Sequence, residues 1–250
     1  MLHLDNRIIY LLGTLILLFI YICVFIARKD LRKIMFISST VILPFGPLTE
    51  IFFFKDYWFP PSFLEIHILG IRVLPEDIFY AFTAPILGGF LYFLIFNIKL
   101  NGTITNIKFF LLKFYTLAFG FMVLFTGITL ITEMNSIFSC VVSACIISIV
   151  ILYKRRDLIK TFLKTAIIAA FITFVAYYLC LLIFGNTYLY SVWLLNPKIY
   201  GLYFLGVGIP LTEVMFSLFV FPFVGVLILF STNLKQQTPP WSPTAKAVVP

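Results

Sequence analysis

Long apolar runs separated by short polar segments dominate this chain of 250 residues. Seven of the runs approach or exceed the roughly 20 residues that a helix needs to cross a bilayer. Lipid offers the backbone no hydrogen-bond partners, so each run is predicted to be a continuous helix. The pattern predicts an all-α integral membrane protein with about seven transmembrane helices, near residues 8–27, 34–54, 76–98, 108–131, 134–153, 161–184 and 211–231.

The basic residues are concentrated in alternate loops. Residues 28–33, 99–108, 154–164 and the segment after 231 carry most of the Lys and Arg, whereas the intervening loops carry few. With seven helices, all four basic segments fall on one side of the membrane. Cytoplasmic loops are enriched in Lys and Arg, so the N-terminus is expected outside and the C-terminus in the cytoplasm.

Composition agrees with this interpretation. Hydrophobic residues make up 62% of the chain and charged residues 11%, against about 45–50% and about 25% in soluble domains. A soluble globule is therefore excluded. The net charge is +8, but the basic residues lie between the apolar runs. They therefore predict no nucleic-acid partner, and membrane lipid is the expected surrounding. The first run lacks a small-residue cleavage site, so no cleavable signal is expected.

Two segments share an order of residues that suggests an internal repeat. The first has Trp58, then Leu69-Gly70, then Glu76-Asp77 and Pro85; the second has Trp193, then Leu205-Gly206, then Glu213 and Pro222. Each copy would consist of three helices in the same orientation, joined by one extra helix, as in parallel transporter repeats. The expected division is 1–100 for the first copy, 101–132 for the linking helix, 133–231 for the second copy and 232–250 for a disordered tail.

Few acids are present, yet several lie at predicted helix ends on the outer side. Ionisable residues within membrane helices are costly and usually functional. A carboxyl group in a dry site can also act as a general acid. Helix capping is the alternative, because the helix dipole favours an acid in the first turn. Both interpretations stay open for Glu50, Glu76, Asp77 and Glu213.

Other chemistry has less support in the sequence. His3 and His67 are too few for a metal site, and no glycine-rich fingerprint follows a strand, so no metal and no cofactor are expected. Trp58 and Trp193 fit an interfacial aromatic belt as well as a site. Arg72 is interpreted either as a partner of a carboxylate or as a side chain that extends to the surface.

The run from Asp56-Tyr57-Trp58 through Leu69-Gly70-Ile71-Arg72 to Glu76-Asp77-Ile78-Phe79-Tyr80 resembles the integral-membrane lycopene cyclase domain. That family includes heterodimeric bacterial enzymes and fused archaeal and fungal forms, and its hallmark is Pro-x-Glu-(Glu/Asp) followed by aromatics. Both copies would lie in one chain here, over most of residues 7–231. Two departures stand out: the proline of the first copy is one position late, and the second copy has Thr212 before Glu213.

The resemblance implies redox-neutral, acid-catalysed cyclisation of the end group of a linear carotenoid in a bacterial or archaeal cell membrane, alongside other carotenoid-synthesis enzymes. It implies Glu76 and Asp77 as the acid/base pair, with Glu213 and Glu50 in partner and supporting roles. Substrate contacts and cation stabilisation by aromatic faces are expected from Trp58, Arg72, Phe79, Tyr80, Trp193 and Phe216. The alternatives are a non-catalytic relative of the family and a small proton-coupled membrane transporter.

Overall fold

The computed structural model describes residues 5–68, 70–102, 104, 106–185, 191–196, 200–232 and 234–236. The helices are α1 Asn6–Ala27, α2 Arg32–Ile42, α3 Phe45–Asp56, α4 Pro75–Ile95, α5 Ile107–Thr132, α6 Ser136–Lys154, α7 Ile159–Phe184 and α8 Leu211–Thr232. Within this described part, six helical segments are long and apolar enough to cross a membrane, or seven if α2 and α3 form one span. The chain is therefore a mostly helical integral membrane protein.

The second predicted span differs from the prediction, because it is broken rather than continuous. Helices α2 and α3 meet at an angle of 48°, and the break falls at Leu43-Pro44. Proline has no N–H to donate and its ring clashes with the preceding turn, and a second proline, Pro47, follows within the first turn of α3. The bend leaves α3 against α4, where Gly46 lies beside Ala81.

Short antiparallel strand pairs precede α4 and α8. Strands β1 (Ile66–Ile68) and β2 (Ile71–Val73) lead into α4, and strands β4 (Gly201–Phe204) and β5 (Val207–Pro210) lead into α8. Gly70 and Gly206 occupy the two turns with φ of +79° and +82°, which glycine adopts without steric cost. In both predicted copies, the last helix thus follows a β-hairpin, and Asp77 and Glu213 each lie seven residues after the turn glycine.

The opposite end of the bundle, which we call the basic end, has a second paired feature. Arg28 forms an ion pair with Asp30 at 2.8 Å and donates to the carbonyl oxygen of Ile98, just beyond α4. Arg155 forms an ion pair with Asp157 at 2.7 Å and donates to the carbonyl oxygen of Leu234, just beyond α8. In each predicted copy, a guanidinium after the first helix therefore binds the backbone that follows the last helix.

The predicted tail, 232–250, begins inside the folded part. Strand β6 (Lys235–Gln236) pairs with β3 (Leu100–Asn101), which joins the segments that follow α8 and α4. Residues 237–250, and with them most of this prediction, lie outside the described residues, as do Leu69 and residues 186–190 and 197–199 of the second aromatic loop.

Close packing of α4 on α8 forms the centre of the bundle. A Cβ atom added to Gly225 would lie 2.4 Å from the carbonyl oxygen of Gly89, and one added to Gly89 would lie 2.8 Å from the backbone nitrogen of Gly225. Small residues at such crossings let helix backbones approach in membranes. This contact brings the first turns of α4 and α8, which carry the predicted acids, to the same end of the bundle.

Candidate active site

A small apolar cavity lies among α2, α3, α4, α5, α6 and α8, below the acidic ends of α4 and α8. Its volume is about 130 Å³. Aromatic side chains supply much of the wall, and carboxyl-bearing residues line it from two different helices. The aromatic residues of the lining are Phe45, Phe53, Tyr80, Phe114, Phe121, Phe216 and Phe223, and the carboxyl-bearing ones are Glu50 and Asp77.

Asp77 is fixed in the first turn of α4, because the helix begins at Pro75, whose ring suits the first helical position. Its side chain is 4% exposed. The hydroxyl of Tyr10, from α1, donates to Asp77 Oδ1. Within the described part of the chain, Asp77 Oδ2 has no hydrogen-bond partner. Asp77 therefore presents a buried, unpaired oxygen in a residue that lines the cavity.

Glu76, the neighbour of Asp77, has different surroundings. The hydroxyl of Ser62 donates to Glu76 Oε2 at 2.7 Å, and both residues are buried. Glu76 is not among the described residues that line the cavity. Successive positions on a helix point about 100° apart, so the two acids of the predicted pair do not share one surface.

Glu50 reaches the cavity from α3. Its side chain is 7% exposed, and the indole N–H of Trp58 donates to Glu50 Oε2 at 2.9 Å. The ring of Trp58 in turn contacts the ring of Tyr10 edge to face, with centroids 5.4 Å apart. The donors to Glu50 and Asp77 are thus in contact with each other, and the bend at Pro44 is what turns Glu50 toward α4.

Glu213, the acid of the second copy, is held away from the cavity. The hydroxyl of Tyr57 donates to Glu213 Oε1, the indole N–H of Trp193 donates to the same oxygen at 3.2 Å, and Tyr177 also hydrogen bonds with this carboxyl group. Glu213 is not among the described lining residues. The Glu213 carboxyl therefore stabilises the contacts between these side chains and does not face the cavity.

Tyr57 connects the two copies. It follows α3 in the first copy, is 3% exposed, and donates to Glu213 of the second copy. Burial, together with the nearby Glu213 charge, raises the pKa of the Tyr57 phenol well above its ordinary value, so the hydroxyl stays protonated and remains a donor. A backbone bridge reinforces this link, because Phe59 N donates to Val192 O at 2.7 Å and Leu194 N donates to Tyr57 O at 2.8 Å.

Arg72 lies above the acids, in β2. Its guanidinium forms an ion pair with Glu65 at 2.6 Å and donates to the carbonyl oxygen of Pro60 at 2.9 Å. It also lies over the rings of Phe59 and Phe54, 4.1 and 5.0 Å from their centroids. The Arg72 guanidinium holds the pKa of the exposed Glu65 carboxyl below its ordinary value. Of the two sequence interpretations, the contacts favour a carboxylate partner, and that partner is Glu65.

The predicted aromatic contacts divide into three groups. Tyr80 and Phe216 line the cavity. Trp58 and Trp193 do not, but their indole N–H groups turn inward to Glu50 and Glu213. Phe79 is 40% exposed and lies outside the lining. Headgroup anchoring alone therefore does not account for the two tryptophans.

The sequence interpretation missed Tyr10 and Ser62, the donors to Asp77 and Glu76. Tyr10 had a signal, because it is one of few polar groups in an apolar run and lies near the predicted outer end. It also missed the strings Arg28-Lys29-Asp30-Leu31 and Arg155-Arg156-Asp157-Leu158, which mark the same turn in each copy. Among the described residues, no group of three or more His, Cys, Asp and Glu side chains is placed to hold a metal ion.

Fold and site together define a helical integral membrane protein with buried carboxyl groups around an aromatic cavity. No family model, no curated protein and no solved structure matches the chain.

Proposed function

We propose that the protein is a carotenoid end-group cyclase, which isomerises a linear, lycopene-like carotenoid within the bilayer. The observation that carries the proposal is Asp77: a buried carboxyl with one unpaired oxygen, in the wall of an apolar, aromatic cavity. An unpaired carboxylate is costly to bury, whereas a carboxylic acid has a proton to donate. The resemblance of residues 56–80 to lycopene cyclase domains supports the same assignment.

The cavity suits the end of such a substrate. Its volume of about 130 Å³ is close to the roughly 150 Å³ of an apolar cavity that holds one benzene molecule. A bare six-membered ring therefore fits this space, whereas the methyl groups of a carotenoid end group and its polyene need further room between the helices. The polyene would extend between the helices into lipid, so only the reacting end group would contact the acids.

The chemistry requires no redox partner. Asp77 Oδ2 donates its proton to the terminal double bond of the end group, which leaves a tertiary carbocation. The neighbouring double bond attacks this centre, closes the ring and moves the positive charge onto a ring carbon. Aromatic faces stabilise a cation held over them, and Tyr80, Phe216 and the other lining rings supply such faces. Loss of a proton from the ring then restores a neutral product with the same formula.

The remaining residues position the acid. The Tyr10 hydroxyl orients Asp77 through Oδ1, and Ser62 holds Glu76 at the neighbouring position. Glu213 fixes Tyr57 and Trp193, which carry the bridge between the copies. The predicted orientation, with the N-terminus outside, would put the acids at the outer side of a bacterial or archaeal membrane, and other carotenoid-synthesis enzymes are the proposed functional neighbours.

Expression in bacteria that accumulate lycopene tests the proposal, with pigments separated by chromatography. Wild-type protein is expected to give cyclised product, and Asp77→Asn is expected to reduce it by about 100-fold or more, as for the loss of a general acid. Glu133→Gln serves as the matched control, because Glu133 is exposed at the end of α5. If well-inserted wild-type protein leaves lycopene linear, lycopene cyclisation is wrong, and the transporter and non-catalytic hypotheses are then preferred.

A further inference from the structure

Cyclisation as proposed above also needs a base, because the ring cation must lose a proton before product leaves. The base must lie in the cavity, since the cation forms there. Among the described residues that line the cavity, Glu50 and Asp77 are the ones with carboxyl groups. The hydroxyl of Thr49, another lining residue, donates to the backbone oxygens of Phe45 and Gly46, each at 2.9 Å.

Hydrogen bonding distinguishes the two carboxyl groups. An indole N–H can only donate, so Glu50 Oε2 must act as an acceptor toward Trp58 at 2.9 Å. A phenol can both donate and accept, and Asp77 has Oδ2 without a described partner, so its surroundings permit a bound proton. Glu50 is therefore held by a group that can only donate to it, whereas Asp77 is held by a group that can also accept.

Glu213 and Glu76 do not compete for this role. Glu213 receives hydrogen bonds from Tyr57, Trp193 and Tyr177, and Glu76 receives one from Ser62. Neither belongs to the described lining of the cavity. Glu50 and Asp77 enter the cavity from different helices, α3 and α4, so the end group would meet one carboxyl on each of two walls.

We propose that Glu50 is the base of the cyclisation, and that its position determines which ring proton is removed and hence where the ring double bond forms. This inference rests on the proposed cyclase function. It assigns a specificity-determining residue outside the Pro-x-Glu-(Glu/Asp) motif, on the broken span.

The proposed step balances. A C–H bond of the ring cation breaks, its electron pair becomes the ring double bond, and the proton forms an O–H bond with Glu50. One proton has then left Asp77 and one has arrived at Glu50, so the carotenoid keeps its formula. The cycle closes when Glu50 releases this proton to water and Asp77 takes one up from water, and no oxidant or reductant takes part.

The test uses the full-length protein in liposomes with lycopene, in D₂O. The wild-type protein is expected to give cyclised carotenoid that carries deuterium delivered by Asp77. Glu50→Gln keeps an oxygen for Trp58 but cannot take a proton, so ringed product is expected to fall by about 100-fold. Its recovered linear substrate is expected to gain deuterium, because Asp77 still adds a deuteron to the end group and the cation then loses a hydrogen of the original substrate to Asp77. Asp77→Asn is expected to abolish both signals.

Two outcomes would overturn the assignment of Glu50. One is a Glu50→Gln protein that makes the wild-type ring isomer within threefold of the wild-type rate. The other is a well-inserted Glu50→Gln protein that loses deuterium exchange together with turnover, as Asp77→Asn does. If this variant does not insert, Glu50→Asp decides: a changed ratio of ring isomers supports the assignment, and an unchanged ratio overturns it. Failure of the cyclase function itself is distinguishable, because wild type would then show neither ring formation nor exchange.

Discussion

Trp58 and Trp193 pair through an antiparallel backbone bridge, and their indole N–H groups donate to two different buried carboxyl groups. Trp58 binds Glu50, which lines the cavity, and Trp193 binds Glu213, which does not. The two predicted copies are thus joined next to their acids, and each tryptophan donates to the acid of its own copy.

The two tryptophans are expected to differ in their effect on stability. Trp58→Phe removes the described donor to Glu50, and an unsatisfied buried carboxyl costs about 1–3 kcal/mol or more. Trp193→Phe leaves Tyr57 and Tyr177 as hydrogen-bond partners of Glu213. Trp58→Phe is therefore expected to lower the apparent melting temperature in detergent more. Trp193 is the more deeply buried ring, so a larger loss from Trp193→Phe would show that packing outweighs hydrogen bonding.

Tyr57 and Glu213 are expected to be energetically coupled across the copies. Tyr57→Phe and Glu213→Gln remove the same hydrogen bond, so the double variant should be more stable than the sum of the single losses predicts. Coupling of about 0.5–3 kcal/mol is usual for residues in contact, and a double-mutant cycle in mixed micelles measures it. Tyr153→Phe is the control, because the 76% exposed Tyr153 should show additive effects with Glu213→Gln.

Gly225→Ala is expected to destabilise the protein by about 1–3 kcal/mol, the usual cost of an overpacked core. The added methyl would lie 2.4 Å from the carbonyl oxygen of Gly89, which is backbone and cannot swing aside. Gly127→Ala is the matched control on α5, where an added methyl would have no described neighbour within 4 Å. Equal melting temperatures for the two variants would contradict the close α4–α8 contact.

Acid is expected to weaken the segment around Arg72. The lowered pKa of Glu65 means that this ion pair contributes stability above the ordinary carboxyl pKa of about 4.3. The contribution is lost as the pH falls through the lowered pKa, because the folded state must then take up a proton. Melting temperatures of wild type and Glu65→Gln should therefore differ at pH 7, and the difference should shrink as the pH falls from 5 to 3. A constant difference over this range would contradict the prediction.

Hydropathy was sufficient to predict the spans, because a membrane helix must be long and apolar whatever it packs against. Most observed helices begin and end within about three residues of the predicted limits, and α8 is the clearest case, at Leu211–Thr232 against 211–231. The prediction of a continuous second span was wrong. The apolar run is long enough for one helix, but Pro44 and Pro47 indicated the break.

The acids were predictable as a group, but their roles were not. Acidic residues are rare in this apolar chain, and burying a carboxyl in a membrane helix is costly and usually functional. This identifies Glu50, Glu76, Asp77 and Glu213. Which of them faces a cavity depends on the helix rotation and on donors distant in sequence. Tyr10 precedes Asp77 by 67 positions and Tyr57 precedes Glu213 by 156, and local patterns carry no information about such pairs.

The bridge between Trp58 and Trp193 also bears on how the molecule is assembled. Together with the hydrogen bond from Tyr57 to Glu213 and the strand pair of Leu100–Asn101 with Lys235–Gln236, it binds the halves at both ends of the bundle. The two predicted halves therefore contact each other as two subunits would, through hydrogen bonds at both ends of the bundle. The peptide link between α5 and α6 is then expected to be dispensable: halves made as separate chains should meet in the bilayer and associate as a pair.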